Sequence, residues 1–222
     1  MNMLTRRLIA KEFYLNRLLI VLSTLAGLAG LLIAAEGQIR FNIGMLIWLT
    51  TIVAFGVVLA MLAIASERKD RALQFVLSLP LSHGDYVRIK VIGLMLCFLV
   101  PWTVLSVSAF LLVVVMPNLP DGMLPFVVLL CGFMLANYSI VLCGALHTAS
   151  EGVMTVVIIV TNMNVTLFIF LVLGLPSLHD HLLGPVPEWN STFWVVLGVE
   201  VATLLVTLSL PHLVAARRRD FA

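Results

Sequence analysis

Residues 153–175 read V-M-T-V-V-I-I-V-T-N-M-N-V-T-L-F-I-F-L-V-L-G-L, a run without one charged side chain. A helix that crosses a bilayer needs about 20 mostly apolar residues. This run meets that demand and lacks the alternation that marks a barrel strand. Five further runs of the same kind cover 18–35, 43–65, 91–116, 124–146 and 193–216. Hydrocarbon offers no partner to a backbone N–H or C=O, so each run is expected to be helical. The expected fold is an all-α integral membrane protein, a single transmembrane domain over 1–222 with six transmembrane helices. Composition agrees. Of 222 residues, 62% are hydrophobic and 11% charged, whereas soluble domains carry about a quarter charged. So little polar surface cannot cover a water-soluble globule, which excludes a cytosolic enzyme, a nucleic-acid binder and a disordered tail. Pro101 and Pro211 fall inside expected spans and are expected to kink them.

Charge sets the orientation. With both termini on one side, that side holds Arg6, Arg7, Lys11, Arg17, Arg68, Lys69, Arg71, Arg88, Lys90, Arg217, Arg218 and Arg219, and the other holds Arg40 alone. Basic residues collect on the cytoplasmic side, so both termini and the 66–90 segment are expected there. The basic start followed by an apolar run superficially resembles a secretory signal, but both parts are longer than a signal has. Residues 1–17 read instead as an amphipathic interfacial helix lying on the inner leaflet before turning into the first span. Leu4, Leu8, Ile9, Phe13 and Leu15 supply its apolar side, and the basic residues supply contacts to anionic headgroups. Ala26, Gly30 and Ala34, four apart, form a close-packing stripe in the first span. Cys97, Cys131 and Cys143 lie inside spans without CxxC spacing and read as small packing residues.

Several chemistries are missing from the sequence. A phosphate-binding loop needs GKS or GKT, and the three lysines follow Ala10, Arg68 and Ile89. The chain is therefore not expected to hydrolyse ATP. HExxH and GxSxG are absent as well. His83, His147, His179, His181 and His212 all lie near span ends or in loops, and His179-Asp180-His181 has too unspecific a spacing to read as a metal site. No catalytic, cofactor or metal residue is assigned. Glu200 is the one ionisable group well inside a span; it reads either as a hydrogen-bonded structural glutamate or as a proton-coupling group.

Between the second and third spans runs S-E-R-K-D-R-A-L-Q-F-V-L-S-L-P-L-S-H-G-D-Y-V-R-I-K, residues 66–90. A charged start leads to a short apolar helix from Leu73 to Leu79 that stops at Pro80. Ser82 and Asp85 then favour a second helix leading into the third span. An apolar two-turn helix inside a charge cluster fits the groove of another protein. This segment resembles the cytoplasmic segment of the permeases of type-2 (ABC-2) ABC transporters. The matching positions are Glu67, Leu73, Leu77, Ser78, Pro80, Ser82 and Lys90. Ala72 stands where the family often has glycine, and His83-Gly84 replace a usual basic pair. The resemblance implies a non-enzymatic permease subunit of an exporter in the bacterial inner membrane, most simply a homodimer. Beneath it would sit two copies of a separate ABC ATP-binding subunit, which would hold ATP and Mg. Glu67, Leu73, Phe75, Leu77, Ser78 and Pro80 would form the coupling helix, and the 147–152 turn with Glu151 a second contact. A haem-exporter-like permease of cytochrome maturation is the near alternative. A stand-alone secondary carrier or channel using Glu200 is the distant one.

The resemblance also implies that the second and fifth spans line the path between protomers. In the fifth span Thr155, Asn162 and Thr166 share a stripe, and Thr50, Thr51 and Phe55 lie in the second. Two readings are open for these polar groups: a path for an amphipathic drug, peptide or lipid, or hydrogen bonds between helices. The 176–192 segment, with three prolines, reads as an external lid or a plain loop.

Overall fold

A computed structural model describes residues 3–62, 83–148 and 150–217. Six long helices carry the fold: α1 (Met3–Ala34), α2 (Gln38–Ala60), α3 (His83–Val115), α4 (Leu124–His147), α5 (Glu151–Leu173) and α7 (Ser191–Arg217). The short α6 (Pro176–His179) lies between the last two. Each of the six contains a stretch long and apolar enough to cross a membrane. Among the described residues there is no strand.

Cross-helix contacts fix the directions. α1 and α3 run parallel, with Glu12 beside Lys90 and Gly27 beside Leu105. α2 is antiparallel to α3: the Trp48 indole donates to the Leu105 carbonyl at 3.2 Å, and Phe55 stacks on Phe98. α3 is antiparallel to α4, through Trp102 Nε1 to the Cys131 carbonyl (2.9 Å) and Tyr138 OH to the Leu94 carbonyl (3.2 Å). Phe133 on Phe168 and Gly144 against Val157 make α4 and α5 antiparallel. Finally Gly132 meets Glu200 and Ser139 meets Thr207, seven residues on in both chains, so α4 and α7 are parallel. The helices thus alternate in direction, and residues 3 and 217 lie at the same end of the bundle.

α4 is the hub, touching α2, α3, α5 and α7. Its small residues Gly132, Ser139 and Gly144 let neighbouring helices come close, which is how membrane helices associate without a hydrophobic driving force between them. The largest core cluster joins α1 to α4 and is centred on the stack Phe55–Phe98–Tyr138.

α1 and α2 form a tight hairpin. Gly37 turns the chain at φ +143°, a conformation that favours glycine. Below it Gly30 and Ala34 pack on Gly44; a Cβ there would strike the Gly30 carbonyl oxygen and the Ala34 backbone. Two members of the expected small-residue stripe therefore make the contact, and the third, Ala26, is exposed.

The N-terminus departs from expectation. A surface helix over 1–17 that turns at residue 18 is replaced by one continuous helix from Met3 to Ala34. Of the apolar side meant for the leaflet, Ile9 is buried and Phe13 lies against the core, whereas Leu15 is 60% exposed. Pro101 and Pro211 both sit within continuous helices.

At the end opposite the termini, a one-turn 3-10 helix (Asp121–Met123) opens α4. Gly122 donates to the Gly184 carbonyl at 3.0 Å, tying the α6–α7 connection to it. Asn190 caps α7 by accepting from the Phe193 N–H at 2.9 Å and donates to the Ser177 carbonyl. Ser177 in turn donates to Thr192 at 2.8 Å.

Candidate translocation path and coupling elements

The coupling residues Glu67, Leu73, Phe75, Leu77, Ser78 and Pro80 lie outside the described residues. Glu151 is the first residue of α5, whose start is capped by Ser150 accepting from the Val153 N–H at 3.4 Å. Only two residues, 149 and 150, separate the Thr148 that ends α4 from the first turn of α5.

What the structure adds at the termini end is an ion pair that sequence reasoning missed. Lys90 Nζ donates to Glu12 Oε1 at 2.8 Å, with both side chains only 4–5% exposed. Glu12 can lie against α3 because position 93 is glycine: a Cβ there would stand 3.1 Å from Glu12 Cγ. Asn16, one turn on, is also buried and donates to the Glu12 carbonyl at 2.9 Å. A buried charge needs a partner and supporting hydrogen bonds, and here each ion supplies the other's. The signal was present: Glu12 is the only acid among the first 35 residues, and it stands within a basic run. Its partner was hidden because it lies 78 positions away.

The path residues divide by exposure. Thr155, Asn162 and Thr166 are all exposed on α5, within a sector of about 40° at 3.6 residues per turn. Exposed apolar residues flank them, Met163 (68%) and Phe170 (70%) among others. Thr161, their sequence neighbour, points the other way; it is buried and donates to the Val157 carbonyl at 2.8 Å. On α2, Thr50 is exposed and Thr51 half-buried, and both hydroxyls donate to carbonyls one turn back, at 2.7 Å. Phe55 is 3% exposed and belongs to the aromatic stack, so within one protomer it faces the core. α2 and α5 both pack on α4 and not extensively on each other. A single copy therefore does not bring Thr50 and Asn162 into one cavity.

Glu200 is buried between α7 and α4, seated in the space left by the missing side chain of Gly132. Neither carboxylate oxygen has a hydrogen-bond partner among the described residues. One heptad on, Ser139 and Thr207 share a hydrogen bond of 2.6 Å. In the connection between α6 and α7 His179 faces Asp180 (3.5 Å) and His181 faces Glu188 (3.1 Å), so the two imidazoles answer separate carboxylates. No group of three or more His, Cys, Asp or Glu that could hold a metal ion occurs among the described residues.

A family model described as an ABC-2 family transporter protein matches residues 7–210. That match begins within α1 and ends within α7, taking in the four long helices between them and the segment between α2 and α3. No curated protein and no solved structure matches the chain.

Proposed function

The chain belongs to the ABC-2 family of transporter membrane proteins, and from that premise we propose that it is the permease of an ATP-driven exporter, working as a homodimer. It is a multi-pass membrane protein and the permease component of an ABC transporter. Such a permease associates with an ABC ATP-binding subunit; in our reading two copies dock on it and perform all the ATP chemistry. The 66–90 segment, through Glu67, Leu73, Phe75, Leu77, Ser78 and Pro80, is the main docking element, and the α4–α5 turn with Glu151 is the second. The imbalance of twelve basic residues to one supports a cytoplasmic location for this end and both termini, and in our reading the membrane is a bacterial inner membrane.

One observation supports the path above the rest. The exposed stripe runs from Thr155 near the start of a spanning helix to Asn162 and Thr166 at its middle, on the protomer's outer surface. Amide and hydroxyl groups are poorly placed against acyl chains. A second protomer facing this stripe, with Thr50 and Thr51 contributed from α2, encloses a cavity lined by neutral polar and apolar groups. Such a lining suits an amphipathic substrate such as a drug, peptide or lipid better than an ion or a sugar. Phe55 contributes indirectly, by holding α2 against α3.

The reading is tested by purifying the tagged chain from its native membrane. It should bring down a P-loop ATPase subunit, and ATP hydrolysis by the complex should change in the Asn162→Leu variant while assembly is retained. Transport by the chain alone, with no ATPase retained, would falsify the assignment.

A further inference from the structure

We infer that the exposed basic face at the start of α1 is a binding site for the phosphate of anionic membrane lipids, a reading that does not depend on the ATPase or on the path. Arg6, Arg7 and Arg17 are exposed, as is Lys11 beside them. At 100° per residue all four fall within a sector of about 140°. The opposite side holds Ile9, Glu12 and Asn16, all buried. The Glu12–Lys90 pair and the Gly93 slot behind it lock that side onto α3, so the basic face points away from the protein.

Two features direct this face to lipid. First, it is continuous with an apolar one. Beyond Arg17 the same side presents Leu18, Val21, Leu22 and Leu25, each 53–68% exposed. In a membrane protein these side chains contact acyl chains, so the change from arginine to leucine marks the level of the headgroups. Arg17 stands at that level, and Arg7 lies ten residues, about 15 Å, further along the axis. One headgroup layer is about 5–7 Å thick, and arginine stems extend along apolar surface to carry their charge to it. Second, Arg17 lies over the Tyr14 ring at 4.4 Å, and Tyr14 is itself 64% exposed. A cation stacked on tyrosine is the pairing expected at a membrane boundary. Guanidinium groups bind a phosphodiester monoanion through paired N–H donors.

Native mass spectrometry of the purified chain in neutral detergent tests the site, with phosphatidylglycerol and phosphatidylcholine of identical acyl chains as probes. Phosphatidylglycerol should bind at roughly tenfold lower concentration, and the Arg7→Gln/Arg17→Gln variant should bind the two lipids alike. Arg40→Gln, at the far end of the bundle, should keep the preference. These arginines are exposed, so thermal unfolding of each variant should match the parent. Equal binding of the two lipids by the parent overturns the inference, as does a preference surviving in the double variant. Displacement of phosphatidylglycerol by inorganic phosphate would make the ligand a free anion. A double variant that keeps its lipid preference but no longer retains the ATPase would assign the face to a protein.

Discussion

Glu12 and Lys90 are joined across 78 positions of chain by a contact of 2.8 Å. Removing Lys90 leaves Glu12 buried without its counter-ion, whereas removing both charges leaves an apolar contact. Lys90→Met alone should therefore destabilise the protein by about 3–5 kcal/mol, read as a lowered unfolding midpoint in detergent. The double change Glu12→Leu/Lys90→Met should recover most of that loss. If the double variant unfolds as early as the single one, packing and not charge holds this corner. No local pattern announces such a pair, since periodicity sees one helix at a time. Phe55 shows the same blindness. Its place near Thr50 and Thr51 was plain from the sequence, but the ring turns inward because Phe98 and Tyr138 offer it a stack.

The helices themselves were largely legible. Run length alone found all six, because a span must be long, apolar and internally hydrogen-bonded. Their ends were less so. Hydrocarbon ends where apolarity ends, but a helix continues as long as its backbone and packing allow, and α1 and α3 begin well before their apolar runs. Glycines are the sharpest probe at this scale. Gly44→Ala pushes a methyl into the backbone of α1, with no flexible side chain to yield. The substitution should cost about 1–3 kcal/mol through overpacking. Gly198→Ala in α7 meets nothing within 4 Å and should be neutral or stabilising by about 0.5–1 kcal/mol, the ordinary helix preference for alanine. Thermal unfolding of the two variants side by side checks the contrast; equal destabilisation would contradict the α1–α2 packing described above.

For the whole molecule, the proposed dimer makes α5 the face to probe. With Cys97, Cys131 and Cys143 replaced by alanine, Asn162→Cys should yield covalent dimers in native membranes on treatment with a short thiol cross-linker. Cysteines at Val199 or Val206, on the exposed side of α7, should stay monomeric. The reverse pattern would move the interface to α7 and leave the polar stripe of α5 without a protein partner. The stripe itself was readable from the spacing of Thr155, Asn162 and Thr166. That it points out of the protomer, while Thr161 points in, required the packing of α5 on α4.

The hairpin of α1 and α2 has a consequence for biogenesis. A connection this short ties the two helices so closely that neither can be threaded into a bilayer without drawing the other along. In the orientation proposed above, with both termini cytoplasmic, its turn is the part that must traverse the hydrocarbon as the pair inserts. That turn carries Glu36 and, at the start of α2, Arg40, and these two side chains form an ion pair with each other. A lone arginine opposes such a passage; with its glutamate at hand the tip makes the crossing without net charge. Among the described residues Arg40 is the one lysine or arginine at that end, and it travels with its own counter-ion.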